Sequence, residues 1–415
     1  MNLRLKIKQK YLVAKALGPA KVILLPFAMA FVGLLLFVSK FIRVRIHPII
    51  NSRIGHFATN TELSILKIKE RETRTEKLEI NIFCATSDKS CNTSLEKMWS
   101  RNFNIQTGNW GWLLNDISKR LKSTDVYQES TNLDIQGRFL SFPPSLTFDD
   151  NELTLGEKFL TENRISDSNK IVCLNVRDSS FFSISKPLGW STSRDWTYHD
   201  YRDSEINSYV TAAETLAEMG YTVFRMGAIV KEQIISKHPR VIDYATNGMR
   251  TEFLDIYLGA LCRFCVSTGS GWDSIPQIFR RPSFYVNQLP IFALACTVRN
   301  LLMYPKILQD NSTKKDLGLA EIINLNIQNA GMTADYSNAG VTLRSMSSEE
   351  LVEAVTEMAA RVEGTFIETP EQKQMQAKLK HIFSTHPKLQ PTPNYYPIRA
   401  EFASCFLSNY PNFLD

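Results

Sequence analysis

The sequence predicts two α/β domains of the doubly wound kind behind an N-terminal membrane anchor, and three observations predict it. Over most of the chain, apolar strand-like runs alternate with segments of helical spacing, the pattern of stacked β-α units. Several of those runs are almost continuously apolar, as strands buried on both faces of a parallel sheet require, and they end on a charged residue or a glycine. Near the N-terminus, Val22 to Val38 is a seventeen-residue stretch without a charge.

That stretch is a marginal span, since crossing the hydrocarbon takes about 20 apolar residues with about 17 as the lower limit. The first 61 residues carry ten Lys/Arg and no Asp/Glu, so the rest of the chain sums to −4 and the basic excess belongs to the N-terminus alone. Arg4, Lys6, Lys8, Lys10, Lys15 and Lys21 precede the stretch, and Lys40, Arg43, Arg45 and Arg53 follow it, so the flanking charge sets no orientation. Pro26 and Gly33 permit a bend. A re-entrant or interfacial anchor over residues 22–39, with its basic flanks on anionic headgroups, therefore stands beside a straight crossing, and a buried core helix beside both. A cleaved signal peptide is disfavoured, because no clean small-x-small site follows. Nucleic acid is disfavoured as a partner by the negative balance of the globular part.

Seven scattered cysteines fit a reducing compartment. Cys262-Arg-Phe-Cys265 has CxxC spacing without a second pair or a nearby His, and reads as small apolar side chains in a strand; no metal site is expected. Asn92 and Asn311 open glycosylation sequons, which matter only for a lumenal chain.

In chain order, Phe41 to Ile50 reads as a first strand, and helical spacing sets in at Thr61. Gly55-His56 then falls between strand and helix, where open α/β sheets place their ligands. His56 is a candidate general base there, with a capping or core histidine as the alternative. Glu79 to Ala85 is a second strand, and Ser94 to Arg101 and Asn109 to Lys122 are helical. Phe142 to Asp150 is a loop and Glu152 to Glu162 a helix, with a domain boundary near Ser166 to Asn169. The expected division is an anchor over 1–40, a first domain over 41–165, a second over 166–345, and C-terminal helices over 346–415.

Lys170 to Asp178 opens the second domain as a buried strand tipped by Arg177 and Asp178, either a ligand-binding pair or an internal ion pair. The polar excursion Ile184 to Asp203 holds Trp190, Trp196 and the run His199-Asp-Tyr-Arg-Asp203. A helix over Ile206 to Met219 leads to the strand Tyr221 to Gly227, which again ends in an arginine, Arg225, before glycine. Residues 231 to 237 read as helix, Val241 to Tyr244 as a short strand, and Glu252 to Leu261 as helix. Arg263 to Gly271 is a strand followed by Thr268-Gly269-Ser270-Gly271 and Trp272; a helix over Ser274 to Phe279 and a strand over Pro282 to Gln288 follow. Glycines at 269 and 271 would let the main chain turn sharply and approach an anion, although the same tetrapeptide also serves as an ordinary turn. Ser347 to Val362, with Ser347 and Glu350 as a capping box, and Thr369 to Phe383 are further helices, and Ile398 to Leu414 packs a last one. Two domains with a base in one, and strand-end arginines and a glycine loop in the other, describe a cleft suited to a diphosphate.

The series Arg53-Ile-Gly-His-Phe-Ala-Thr-Asn, Val172-Cys-Leu-Asn-Val-Arg-Asp, His199-Asp-Tyr-Arg-Asp, Gly220-Tyr-Thr-Val-Phe-Arg-Met-Gly, Thr268-Gly-Ser-Gly and Arg281-Pro-Ser-Phe-Tyr-Val-Asn resembles a family of bacterial glycosyltransferases of surface polysaccharide synthesis, from about Arg53 to the C-terminus. The chain has Asn175 where that pattern has His, and Asp203 where it has Asn. The resemblance implies two Rossmann-like domains facing a cleft (GT-B type), akin to the fucosyltransferase-like group. It also implies a UDP-, GDP- or dTDP-sugar donor held mainly by the second domain, no obligatory metal, and a glycan or lipid-linked acceptor. On this expectation His56 is the base, with Arg177 and Asp178 beside it in catalysis. Arg177, Arg225, Gly227, Thr268, Gly269, Ser270, Gly271 and Trp272 hold the donor, and the body lies on the cytoplasmic face of the cell membrane. A polysaccharide pyruvyl transferase, or a sugar-nucleotide-binding subunit without catalysis, is the alternative.

Overall fold

The computed structural model describes residues 18–74, 78–180, 197–291, 301–389 and 400–415. The basic residues before Lys21, both Trp190 and Trp196 of the polar excursion, and the start of the last segment at Ile398 lie outside them. The chain divides into two compact units, the first running to Asn132 and the second from Leu133 onward.

In the first unit, strands β1 (Arg43–Ile49), β2 (Glu79–Ala85) and β3 (Ile105–Gln106) form a parallel sheet in the order β1-β2-β3. On the free side of β1, Tyr127 bridges Ile46 in parallel. The order is therefore β3-β2-β1 and then the Tyr127 segment, with the chain reversing its direction of travel across the sheet between β1 and that segment. Helices Ile54–Glu72, Thr93–Asn102 and Gly108–Ser118 follow the three strands in turn. Glu79 ties the sheet to the first of these, accepting from Arg45 Nε at 2.9 Å and Arg71 Nη2 at 2.8 Å.

Helix Ile54–Glu72 starts seven residues ahead of Thr61, where helical spacing becomes visible in the sequence. Thr59, Asn60, Thr61, Glu62 and Ser64 are polar yet buried, so this helix hides part of its inner face from a reading based on apolar periodicity. The N-terminal helix Pro19–Val38, twenty residues long, is long and apolar enough to cross a membrane. Its Ala28, Val32 and Leu35 are buried on Leu113 and Leu114 of helix Gly108–Ser118 and on the apolar face of β1 and β2.

In the second unit, β4 (Ile171–Asn175), β5 (Thr222–Arg225), β6 (Val241–Ile242), β7 (Phe264–Ser267), β8 (Ser283–Gln288), β9 (Leu301–Pro305) and, far along the chain, β12 (Glu401–Phe402) form one parallel sheet. Its order is β12-β9-β8-β7-β4-β5-β6. The chain moves outward from β4 through β6, returns to β7 on the other side of β4, and then continues outward. This is the doubly wound order, and its topological switch point lies between β4 and β7. Strands β10 (Ile307–Asp310) and β11 (Val341–Arg344) form a separate antiparallel pair.

Helix Asp150–Glu162, capped by Asp149 and Glu152, belongs to this second unit: Gly156 packs on the Tyr257 ring, and Phe148 stacks on Phe279 at 5.6 Å. The division therefore falls ahead of the boundary expected near Ser166 to Asn169. Helix Ser348–Val362 carries the capping box of Ser347 and Glu350, and helix Pro370–Thr385 one of Thr369 and Gln372. Residues 231 to 237 are not helical. Side-chain acceptors from elsewhere in the chain hold its amides, with Lys231 N–H on Asp178 Oδ2 at 2.9 Å, Ile234 N–H on Asp243 Oδ2 at 3.2 Å and Ile235 N–H, the first that a helix here would bond internally, on Asn207 Oδ1 at 3.0 Å.

Candidate functional site

The site begins with the two strands at the switch point. Asn175, the last residue of β4, donates through Nδ2 to Ser267 Oγ at 3.3 Å and Ser270 Oγ at 2.6 Å, and its carbonyl accepts from Thr268 N–H at 3.2 Å. Two residues on, Arg177 N–H donates to Thr268 Oγ1 at 2.8 Å. The ends of β4 and β7 are thereby locked together, and Arg177 is held at the rim of the crevice between them.

The Thr268–Gly271 loop is built as a support. Gly269 has φ 80°, which a side chain would strain, and a Cβ there would lie 2.5 Å from Gln288 Oε1 and displace that amide. Behind the loop, buried Asp273 accepts from Ser267 Oγ at 2.9 Å and Ser270 N–H at 2.8 Å through one carboxylate oxygen. Burial pushes its carboxyl up to about 6, against the pull of those bonds. Gly269 N–H donates to Ser267 Oγ and Trp272 N–H to Ser270 Oγ. The amides of residues 268, 269, 270 and 272 thus serve the loop's own geometry, and the main chain keeps few donors for a ligand.

Side chains supply the cations instead. Arg177 Nε donates to Asp203 Oδ1 at 2.9 Å; Lys306, directly after β9, donates through Nζ to Asp203 carbonyl at 2.7 Å; and Arg202 Nη2 bonds the Gly269 carbonyl. Arg202 ends the 3-10 segment Thr197–Arg202, which is pinned by buried Tyr201 and by Tyr201 N–H on Thr333 Oγ1 at 3.2 Å. Three cations thus gather at the carboxyl edge of the sheet, of which Arg177 alone is paired with a carboxylate, Asp203, while Lys306 and Arg202 rest on main-chain carbonyls. Burial pushes the Arg177 guanidinium down from its ordinary value, with neighbouring Arg202 adding to the effect and Asp203 opposing it. Burial likewise draws the Asp203 carboxyl up, against Arg177. It lowers the Lys306 ammonium to about 8. Arg202 Nε and Gln288 Oε1 are buried without a hydrogen-bond partner among the described residues, a costly state that a polar ligand at this edge would relieve.

The other expected donor residues stand elsewhere. Arg225 is fully buried on β5 with Nη1 3.3 Å from Asp243 Oδ1, an internal ion pair. Gly227 is confined by Val230 Cγ1, which would lie 2.5 Å from a Cβ. Asp178 spends both carboxylate oxygens on amides, Ser180 N–H at 2.8 Å and Lys231 N–H at 2.9 Å. Trp272 is buried and donates Nε1–H to Asp255 carbonyl at 3.1 Å. Arg177 and the Thr268–Gly271 loop are brought together; Arg225, Gly227 and Asp178 shape the neighbouring strand ends. Arg202 and Asp203 belong to the polar run His199–Asp203 that the sequence marks without assigning a role, whereas Lys306 and Gln288 carry no role in the sequence reading. Lys306 had a usable signal, a cation closing the apolar run Leu301-Leu-Met-Tyr-Pro, the same sign that marks Arg177.

In the first unit, His56 sits in the first turn of helix Ile54–Glu72, half-buried, with Nδ1 3.2 Å from Asn60 Oδ1. Asn60 Nδ2 donates in turn to Ser130 Oγ at 2.8 Å, three residues past the Tyr127 bridge. The pair therefore lies at the switch point of the first sheet. Burial lowers the His56 pKa, opposed by Asn60 and reinforced by Arg53, so the imidazole is neutral at pH 7. With Nδ1–H assigned to Asn60 Oδ1 from this network, Nε2 is the basic nitrogen. Among the described residues, no group of three His, Cys, Asp or Glu is placed to hold a metal; Cys262 and Cys265 are buried beside Cys173.

No family model matches the chain, and no curated protein matches it. Among solved structures, a glycosyl transferase family 9 protein from Veillonella parvula DSM 2008 is similar at 8% identity and TM-score 0.43, covering 77% of this chain and 98% of that one. The E. coli ADP-heptose lps heptosyltransferase II is similar at 12% identity and TM-score 0.36, covering 63% of this chain and 90% of that one.

Proposed function

We propose that this chain is a membrane-associated glycosyltransferase of GT-B architecture that moves a sugar from a nucleoside diphosphate donor to a glycan or lipid-linked acceptor. The observation that carries the reading is the convergence of Arg177, Arg202 and Lys306 at the switch point of the second sheet. In glycosyl transfer the bond between acceptor oxygen and anomeric carbon forms as the bond from that carbon to the phosphate oxygen breaks. The electron pair leaves on the diphosphate, and the hydroxyl proton passes to a base. Two guanidinium forks and an ammonium in a partly dry site suit the charge growing on the leaving group, and fixed cations supply neutralisation that a divalent ion would otherwise provide.

In this reading the second unit binds the donor and the first supplies the base, His56, whose neutral imidazole is ready to take the proton at Nε2. The Thr268–Gly271 loop, Trp272, Arg225, Gly227 and Asp178 hold the strand ends in place. The reading rests on these side chains and on the strand order. The body faces the cytoplasm, where nucleotide sugars are made.

Calorimetric titration of the full chain with UDP-, GDP- and dTDP-sugars, paired with an assay for nucleoside diphosphate release, tests the reading. One donor should bind, and Arg177→Ala or Lys306→Met should each weaken it by roughly 10- to 100-fold, the worth of a charged hydrogen bond. Binding of phosphoenolpyruvate with no nucleotide sugar bound would move the protein to pyruvyl transfer.

A further inference from the structure

Helix Pro19–Val38 is apolar on every side, yet the protein covers only one of them. Ala28, Val32 and Leu35 face inward, while Ile23, Phe27, Met29, Leu34 and Phe37 project from the opposite side, with Ile23 67% and Phe27 65% exposed. A helix that is hydrophobic all round needs an apolar surrounding on every side, and here half of it is missing.

The inward face also fixes how that surrounding must lie. Side chains from Leu24 to Val38 pack on the first unit, a contact some 21 Å long at about 1.5 Å per residue. Phe31 meets Trp110 at 5.8 Å, and at the start of the helix Lys21 pairs with Asp88 at 2.8 Å and lies over the Trp112 ring. Were this helix to cross a bilayer, helix Gly108–Ser118 would enter the hydrocarbon beside it, with Asn109, Asn115 and Asp116. Buried amides and charges in lipid are costly enough to exclude that arrangement.

We infer that helix Pro19–Val38 lies in the plane of an anionic lipid surface, seated on its own domain, with Ile23, Phe27, Met29, Leu34, Phe37 and the adjoining Phe41 immersed and both ends of the helix on one side of the membrane. Charge complementarity selects the lipid. Lys40 and Arg43 are exposed beside the apolar face, and the first 61 residues hold ten basic side chains and no acidic one. This inference does not depend on the reaction proposed above.

The test uses the full chain with an N-terminal epitope tag, added to preformed sealed vesicles. Phosphatidylcholine vesicles containing phosphatidylglycerol should sediment the protein, and vesicles of phosphatidylcholine alone should retain much less. External protease should remove the tag and digest the body together. Phe27→Asp with Phe37→Asp should lower the bound fraction at least about tenfold with an unchanged melting temperature, since neither ring packs in the core; Ile23→Asp serves as the second variant should that pair fail to fold. A tag protected inside the vesicles would overturn the inference in favour of a span. Wild-type binding that survives all three substitutions would overturn it as well. So would a dimer, seen by light scattering, that ignores vesicles and is broken by the same substitutions, because a second copy would then cover the face.

Discussion

Lys306 carries two opposing demands. Burial lowers its ammonium from the ordinary 10.5 to about 8, so the free fold favours the neutral amine while an anion favours the charged one. The signs follow from linkage: with the folded pKa below the unfolded one, charged Lys306 costs stability below about pH 8, and that cost is relieved between about pH 8 and 10.5. Ligand affinity runs the other way. Nucleoside diphosphate binding, measured calorimetrically, should weaken as pH rises from 7 to 9.5, and Lys306→Met should bind weakly but lose that step. His56 is the mirror case, its pKa lowered from 6.5 by burial, so turnover should fall only as pH drops below that value. His56→Ala should abolish nucleoside diphosphate release while leaving donor affinity within about twofold, because the ring belongs to the other unit; full turnover in that variant would remove the base assignment. At this scale a charge closing an apolar run was legible as a strand end, and Arg177 stands at one, two residues past β4. The same sign at Arg225 marked an internal pair with Asp243, because a strand-end arginine looks alike whether it meets a ligand or a neighbour's carboxylate.

The Thr268–Gly271 loop shows what an element adds to its residues. Its glycines signalled a tight turn and a close approach, and Gly269 meets both descriptions; what approaches it is Gln288 and Arg202. The direction of its amides depends on Asp273, at capping-box spacing from Ser270, and on Asn175, which comes from another strand and which no local spacing links to the loop as an acceptor. Asp273→Ala strands the Ser270 N–H and the Ser267 hydroxyl behind the loop and should cost about 2–6 kcal/mol in denaturant unfolding, at roughly 1–3 kcal/mol for each stranded group. Asp273→Asn should be close to neutral, because both donors meet one oxygen that the amide retains. Strands β4 and β7 were readable from their nearly continuous apolar runs, and β2 and β8 from short runs of strand-forming residues. The start of helix Ile54–Glu72 and the extended path of 231 to 237 were not, since buried polar residues disguise the first and side-chain acceptors from distant positions decide the second.

At the scale of the molecule, alternation of strand and helix is a local property and was legible, whereas strand order is set by which distant strands pair. Nothing near Lys170 shows that β4 will be flanked by β5 and β7, yet that adjacency creates the crevice where Arg177 and the glycine loop meet. Lys306 joins them only because β9 lies two strands away, beyond β8. Each unit has its own apolar core, one built on helices Pro19–Val38 and Gly108–Ser118 and the other running from β4 to the C-terminal helices. Ligand-linked protection should therefore be confined. Hydrogen exchange of the full chain with and without a saturating nucleoside diphosphate should slow amides at 175–178, 202–204, 267–271 and 306–307, segments far apart in sequence that share one sheet edge. Amides of helix Ile54–Glu72 and strands β1 to β3 should be unmoved, because a diphosphate held by Arg177, Arg202 and Lys306 touches only the second unit. Protection centred on residues 54–60 would place the diphosphate at the first switch point and overturn the division of labour between the two sheets.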